Sequence, residues 1–212
     1  MSFDIPAWLD SASLLDVVNG ADLSAVTHAI SCSSPTSREF ASMLSAVSPQ
    51  IVELMAQRAR TLTRRHFGRT ISLYVPLYVS NYCPGGCAYC GFASDREQPR
   101  ARLEKQDLLA ELKALKEKGF EEVLLLTGER TPEADFDYLL ECVSIAAESF
   151  HNVTVESFAM TTDEYGKLAE AGCTGITLYQ ETYDPVIYDK LHRWGPKRDY
   201  MFRLEAKGEF RP

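Results

Sequence analysis

Apolar residues change their rhythm once along this chain. Up to about residue 68 they recur at helical spacing. Ile51, Leu54, Met55 and Ala59 form one stripe, and the segment runs out at Gly68, a residue suited to ending a helix. Ser33-Ser34-Pro35-Thr36-Ser37 reads as a turn that opens the next helix. From residue 71 short apolar runs alternate with amphipathic ones. Strands are predicted over Ile71 to Val79, Val123 to Thr127, Val153 to Phe158 and Ile176 to Gln180. Between them, Leu108, Leu109, Leu112 and Leu115 mark one face of a helix stopping at Gly119, and Phe136 to Phe150 marks a second. Thr161 to Glu164 has the form of a capping box for a third helix, which ends at Gly172. Pro185 to His192 starts a fourth, with proline in its first turn.

Repeated strand–helix units imply parallel strands joined by right-handed crossovers. The predicted fold class is therefore α/β: a partial (β/α) TIM-like barrel of about four parallel strands with an N-terminal helical extension. The expected domains are residues 1–68 for the extension and 69–212 for the partial barrel. A complete barrel of this type takes about 250 residues, and about 140 follow the start of the first strand. The reading therefore expects half a barrel with apolar edge strands. In such folds the loops that follow the strands build the site. The cysteine loop, Thr127-Gly128-Glu129, Glu156-Ser157 and Gln180-Glu181-Thr182 all fall there.

Composition narrows the function. The 212 residues are 45% hydrophobic, enough for one sizeable core, and the net charge of −8 argues against a broad nucleic-acid surface. Arg58, Arg60, Arg64, Arg65 and Arg69 are read as the solvated face of a helix. The first basic residue is Arg38, and Asp4, Asp10 and Asp16 interrupt the N-terminal apolar residues, unlike a signal peptide. No stretch approaches the roughly 18 apolar residues that span a bilayer. The expectation is a cytoplasmic protein without membrane or nucleic-acid partners.

The candidate chemistry lies in Cys83-Pro84-Gly85-Gly86-Cys87-Ala88-Tyr89-Cys90. Three thiols at this spacing on a glycine-rich loop can hold three corners of a [4Fe–4S] cluster and leave the fourth iron open. Closed structural zinc needs a fourth ligand. The remaining cysteines (Cys32, Cys142 and Cys173) and the four histidines show no paired metal-ligand spacing, so those cysteines are expected in the core. Cys87 and Cys90 alone would suit a thioredoxin-like pair, for which Cys83 is superfluous. Six cysteines so distributed do not make a disulfide scaffold.

Together with its aromatic Tyr89, this motif resembles that of the radical S-adenosylmethionine (SAM) enzymes. Tyr74-Val75-Pro76-Leu77-Tyr78-Val79-Ser80-Asn81, Cys90-Gly91-Phe92, Leu126-Thr127-Gly128-Glu129, Tyr179-Gln180-Glu181-Thr182-Tyr183 and Arg203-Leu204-Glu205 are similar to the tyrosine lyases among them, those of the 2-iminoacetate synthase type in thiamine biosynthesis. Ala56-Gln57-Arg58-Ala59 and Leu62-Thr63-Arg64 extend the likeness into the helical preface. The resemblance runs to about residue 205, and the family chain continues for about four more strands, so the C-terminal half is expected to be lacking here.

The resemblance implies a [4Fe–4S] cluster on Cys83, Cys87 and Cys90, with SAM on its open iron. Reductive cleavage of SAM would give a 5′-deoxyadenosyl radical, and tyrosine would break at Cα–Cβ into p-cresol and 2-iminoacetate. The implied partners are thiazole synthase and a reductant such as flavodoxin or ferredoxin. The implied cofactor contacts are Tyr89, Thr127, Gly128, Glu129 and Glu156, with Glu129 accepting from the SAM ammonium. Gln180, Glu181 and Tyr183 would line the substrate cavity. One departure is Ala159, near which the family usually has proline. The tyrosine lyase of [FeFe]-hydrogenase maturation carries the same motifs, and a tyrosine-using deazaflavin synthase is related. A non-catalytic iron–sulfur or zinc module is the alternative from another class.

Overall fold

The structure, a computed structural model, describes residues 12–45 and 48–209. The expectation of helix over residues 1–11, the acids Asp4 and Asp10, and Phe210-Arg211-Pro212 lie outside the described residues. The chain divides into two compact units, Met1–Ile71 and Ser72–Pro212.

The first unit holds helices α1 (Ala12–Gly20), α2 (Leu23–Ser31), α3 (Ser37–Met43) and α4 (Pro49–Phe67). Three of these starts carry an N-cap whose side chain takes up an otherwise orphaned amide. Asp22 accepts from Ala25 N, Ser48 from Ile51 N ahead of Pro49, and Thr36 forms a complete capping box with Glu39. Gly68 ends α4 at φ 64°, a left-handed value that glycine adopts without strain. Helix α3 packs on α1 and α2, and α2 also on α4. The apolar stripe expected on α4 is buried only at Ile51. Leu54 and Ala59 are exposed and Met55 is half-buried, because within its unit α4 packs chiefly against α2. Cys32 also departs from expectation. Cys142 and Cys173 are buried, but Cys32 caps α2 at its half-exposed end.

The second unit is an arc of four parallel strands in the order β1 (Tyr74–Tyr78), β2 (Glu122–Leu126), β3 (Asn152–Glu156) and β4 (Cys173–Thr177). Helices α5 (Lys105–Glu117), α6 (Phe136–Ala147) and α7 (Thr162–Glu170) join them. The strand order never reverses, so every crossover advances the same way, which gives a barrel segment and not a doubly wound sheet. Val123, Leu125, Val153 and Val155 pack with Leu108, Leu112, Leu139, Val143 and Leu168 in the core. Leu109, expected on that face, is 45% exposed, since it sits one residue past the stripe that Leu108 and Leu112 define at i and i+4.

Pairing is in register. Tyr78 faces Leu126, Leu126 faces Glu156, and Glu156 faces Thr177, so the four strands finish level and send their loops to one rim. Strand β4 begins at Cys173, three residues before the predicted start. Gly175 is a poor sequence signal for a strand, yet pairing with β3 draws it in through a bulge between Val153 and Thr154. After β4 come α8 (Pro185–Leu191), a single 3₁₀ turn at Pro196–Arg198, and α9 (Tyr200–Glu209). No helix among the described residues is long and apolar enough to cross a membrane.

The predicted capping box is present. Thr161 Oγ1 accepts from Glu164 N, and Glu164 accepts from Thr161 N. Arg130 adds a bidentate pair to Glu164 at 2.8 and 3.1 Å. Burial pushes the Glu164 carboxyl up, but these donors outweigh it and hold it below the ordinary value. A lowered carboxyl stabilises the fold above its unfolded pKa, so this contribution is present at neutral pH and is lost as pH falls through the lowered value. Thr161→Ala is expected to cost about 1 kcal/mol, read from the urea midpoint.

Candidate functional site

The cysteine loop is fixed from three sides. From β1 the chain continues through Val79, whose amide still bonds Leu126 O at 2.9 Å. Asn81 turns the loop by donating to Pro99 O and accepting from Ala101 N. The Arg100 guanidinium bridges the carbonyls of Asn81, Phe92 and Ala93 at 2.7–3.0 Å. The segment after α8 presses on the other side. Gly86 N donates to Trp194 O, Ala88 N to Leu191 O, and Arg193 Nε to Gly86 O. A Cβ at Gly86 would come within 2.1 Å of the Trp194 ring, so the indole requires glycine there.

Gly128 performs the same service for the loop after β2. A Cβ there would lie 2.4 Å from Tyr82 O and 2.7 Å from Cys83 Cβ, both on the cysteine loop. Since the backbone oxygen cannot swing aside, Gly128→Ala forces the two loops apart. The expected cost is about 1–3 kcal/mol of overpacking, with weaker iron retention after reconstitution. Denaturant unfolding and iron assay of the variant check this.

Cys83, Cys87 and Cys90 are free thiols on one wall of a cleft of about 340 Å³. Glu129 N points to Cys83 Sγ at 3.4 Å and Phe92 N to Cys90 Sγ at 3.3 Å, an arrangement that favours sulfur carrying negative charge. Burial pushes the Cys83 and Cys87 thiols up, with Lys197 opposing it at Cys87.

Thr127, Gly128, Glu129, Glu156, Glu181 and Tyr89 line the same cleft. Gln180 and Tyr183 are not brought to it. The Gln180 side chain is buried against α9, with Nε2 3.5 Å from Tyr200 O, and the Tyr183 carbonyl accepts from Tyr200 Oη. The physical reason is that β4 ends at Thr177, so strand alternation no longer governs the direction of residue 180. Glu181, at φ 70°, is the non-glycine residue with positive φ among the described residues. That strained backbone aims its carboxylate at Lys197 Nζ, 2.5 Å away.

Two cations escaped the sequence reading. Arg203 Nη1 donates to Glu129 Oε1 at 2.7 Å, with side-chain exposures of 5% and 9%, while Arg203 Nε holds Tyr179 O. Lys197 lies over the Tyr89 ring at 5.6 Å as well as on Glu181. A signal for the first existed, because a buried acid after β2 demands a cation from some later segment. Burial and the Glu181 charge push the Glu156 carboxyl up. Burial also pushes Glu181 up, but Lys197 outweighs it and the net shift is downward.

Tyr89, itself half-exposed, reaches a buried histidine. His192 Nδ1 lies 2.8 Å from the Tyr188 carbonyl, which can only accept, so Nδ1 carries the proton. Nε2 is then the acceptor for Tyr89 Oη at 2.7 Å. Burial pushes His192 down, which keeps this neutral tautomer. Two cleft hydroxyls, Thr127 Oγ1 and Ser157 Oγ, are buried without a hydrogen-bond partner. Such groups are costly unless a ligand or solvent satisfies them. The thiol trio, the two amides on sulfur and these hydroxyls together fit a cluster with a polar organic ligand beside it.

A profile of the radical SAM superfamily matches residues 77–206. The chain is 37% identical over 189 residues to the 2-iminoacetate synthase of Escherichia coli (strain K12), an overlap of 89% of this chain and 50% of that protein. It is 30% identical over 151 residues to the 3-methylornithine synthase of Methanosarcina acetivorans, 70% of this chain and 43% of that one. The chain spans about half the length of the curated 2-iminoacetate synthases it matches. Among solved structures it is similar to HydG, a maturase of the [FeFe]-hydrogenase, with a TM-score of 0.88, 27% identity, and coverage of 96% of this chain and 48% of that one.

Proposed function

This chain belongs to the radical SAM superfamily, and we propose that it acts as a carbon–carbon lyase that cleaves tyrosine at Cα–Cβ into 2-iminoacetate and p-cresol, for thiazole formation in thiamine biosynthesis. The observation that carries this reading is the three-thiol wall of a cleft at the C-terminal rim of the strands. The 37% identity to a 2-iminoacetate synthase supports the choice of reaction.

Cys83, Cys87 and Cys90 would hold a [4Fe–4S] cluster through three of its irons. Bound there, the cluster supplies an open iron for SAM and the electron that splits its sulfonium. Arg203 fixes Glu129 through Oε1, leaving Oε2 to accept from the SAM ammonium. Thr127 and Ser157 offer their unpartnered hydroxyls to the same ligand. Tyr78 and Phe92 meet edge to face at 5.7 Å and form an apolar wall suited to a flat ring. Lys197 and Glu181, which also line the cleft, present a paired cation and anion toward an amino-acid substrate. A one-electron donor such as flavodoxin or ferredoxin would serve the cluster, and thiazole synthase would receive 2-iminoacetate.

The test is an anaerobic incubation of the reconstituted chain with reductant, SAM and tyrosine. The proposal expects p-cresol together with glyoxylate, the hydrolysis product of 2-iminoacetate. The likeness to the hydrogenase maturase favours one second reading, a lyase that degrades 2-iminoacetate further. Carbon monoxide or cyanide among the products would select it. Cleavage of SAM without p-cresol would overturn both.

A further inference from the structure

We propose that His28, Cys32 and Glu39, in the first unit, form a binding site for a divalent ion of the zinc class, with water as the fourth ligand. His28 and Cys32 are four residues apart, so they project from adjacent turns of the same face at the end of α2. The turn at residues 33–36 then brings the first turn of α3 back over them. Cys32 Sγ lies 3.7 Å from His28 Nε2 and 3.2 Å from Glu39 Oε1, and His28 Nε2 lies 3.5 Å from the same oxygen.

These separations are close to those around a tetrahedral ion. Metal–ligand lengths of roughly 2.0–2.3 Å set at tetrahedral angles put neighbouring donor atoms roughly 3.3–3.6 Å apart. Among the described residues this is the one group of three such donors all within 4.8 Å of one another. The carboxylate is also held in place. Thr36 N and Thr36 Oγ1 both donate to Glu39 Oε2, at 2.7 and 2.9 Å, which turns Oε1 toward the other two donors. Such outer partners orient metal ligands in established sites.

The donor set selects the ion. One sulfur, one imidazole and one carboxylate are a poor match for calcium or magnesium and a good one for zinc. On binding, Cys32 gives its proton to solvent and becomes the thiolate, and His28 binds as the neutral ring. The two negative ligands then balance the two charges of the ion. The His28 side chain is 70% exposed, which leaves an entry path and room for the water. Binding would clamp α2 to α3, independently of the cleft chemistry.

The experiment uses the full chain under anaerobic reducing conditions, in the parent and in a Cys83→Ala/Cys87→Ala/Cys90→Ala background that removes the other thiol cluster. Zinc is titrated against a chromophoric chelator, and X-ray absorption counts the sulfurs around the metal. The expected result is one equivalent of zinc retained in the triple variant, with one sulfur and three nitrogen or oxygen ligands. His28→Ala removes only an exposed ring and should weaken binding at least ~10-fold, and Cys32→Ser should weaken it further. If the triple variant fails to fold, the difference between the cobalt(II) absorption spectra of the parent and of His28→Ala gives the same comparison. Zinc binding that is absent from the triple variant, or a cobalt spectrum identical in parent and His28→Ala, overturns the site. It would leave these three side chains as a hydrogen-bonded clasp.

Discussion

Serine in place of any one of Cys83, Cys87 and Cys90 is expected to abolish iron and sulfide retention after anaerobic reconstitution, and with it all SAM cleavage. An alkoxide is a harder and far less available ligand than a thiolate, and three sulfurs are the whole protein contribution to the proposed cluster. The loops that carry them cannot adjust to a missing corner. Gly86 is pinned under Trp194, and Gly128 lies against the backbone of Tyr82. Cys142→Ala makes the control, because Cys142 is a small apolar residue only 2% exposed in the helix-facing core. That variant should lose some stability and keep its iron. Equal iron content in the cleft variants and the parent would contradict the assignment.

The second large effect concerns the Glu129–Arg203 pair. Both side chains are almost fully buried, so removing one partner strands a charge in a place water barely reaches. Glu129→Met and Arg203→Met are each expected to cost about 3–5 kcal/mol in denaturant unfolding. Replacing both residues by methionine should cost much less than the sum of the two single changes, because no charge is then left unpaired. Strict additivity in that cycle would contradict the pairing. The pair also links β2's loop to α9, so Arg203→Ala should loosen the cleft at the position proposed to receive the SAM ammonium.

The parts of this architecture that depend on local chemistry could be read directly from residues. The Thr161–Glu164 box, the stops at Gly119 and Gly172, and the apolar β2 each announce themselves within a few positions. The cysteine loop did so too, because the spacing of its thiols has few other uses. What could not be read depends on partners far away in sequence. Lys197 and Arg203 sit on elements that look like ordinary polar surface until the strands finish level and bring Glu181 and Glu129 to them. Gln180 and Tyr183 were misplaced for a related reason. The resemblance implied that they line the cavity, but pairing with β3 shifted β4 toward its N-terminus and ended it at Thr177. His28 and Cys32 stand at i, i+4, a spacing the sequence reading passed over, and the third donor, Glu39, arrives only through the turn between α2 and α3.

The proposed activity requires an open iron held by three thiolates next to a SAM site. Electron paramagnetic resonance of the anaerobically reconstituted, reduced chain, recorded with and without SAM, tests this most directly. The predicted result is a reduced [4Fe–4S] signal whose shape changes when SAM is added. A cluster signal indifferent to SAM, or a colourless protein holding zinc at the three cysteines, would contradict it.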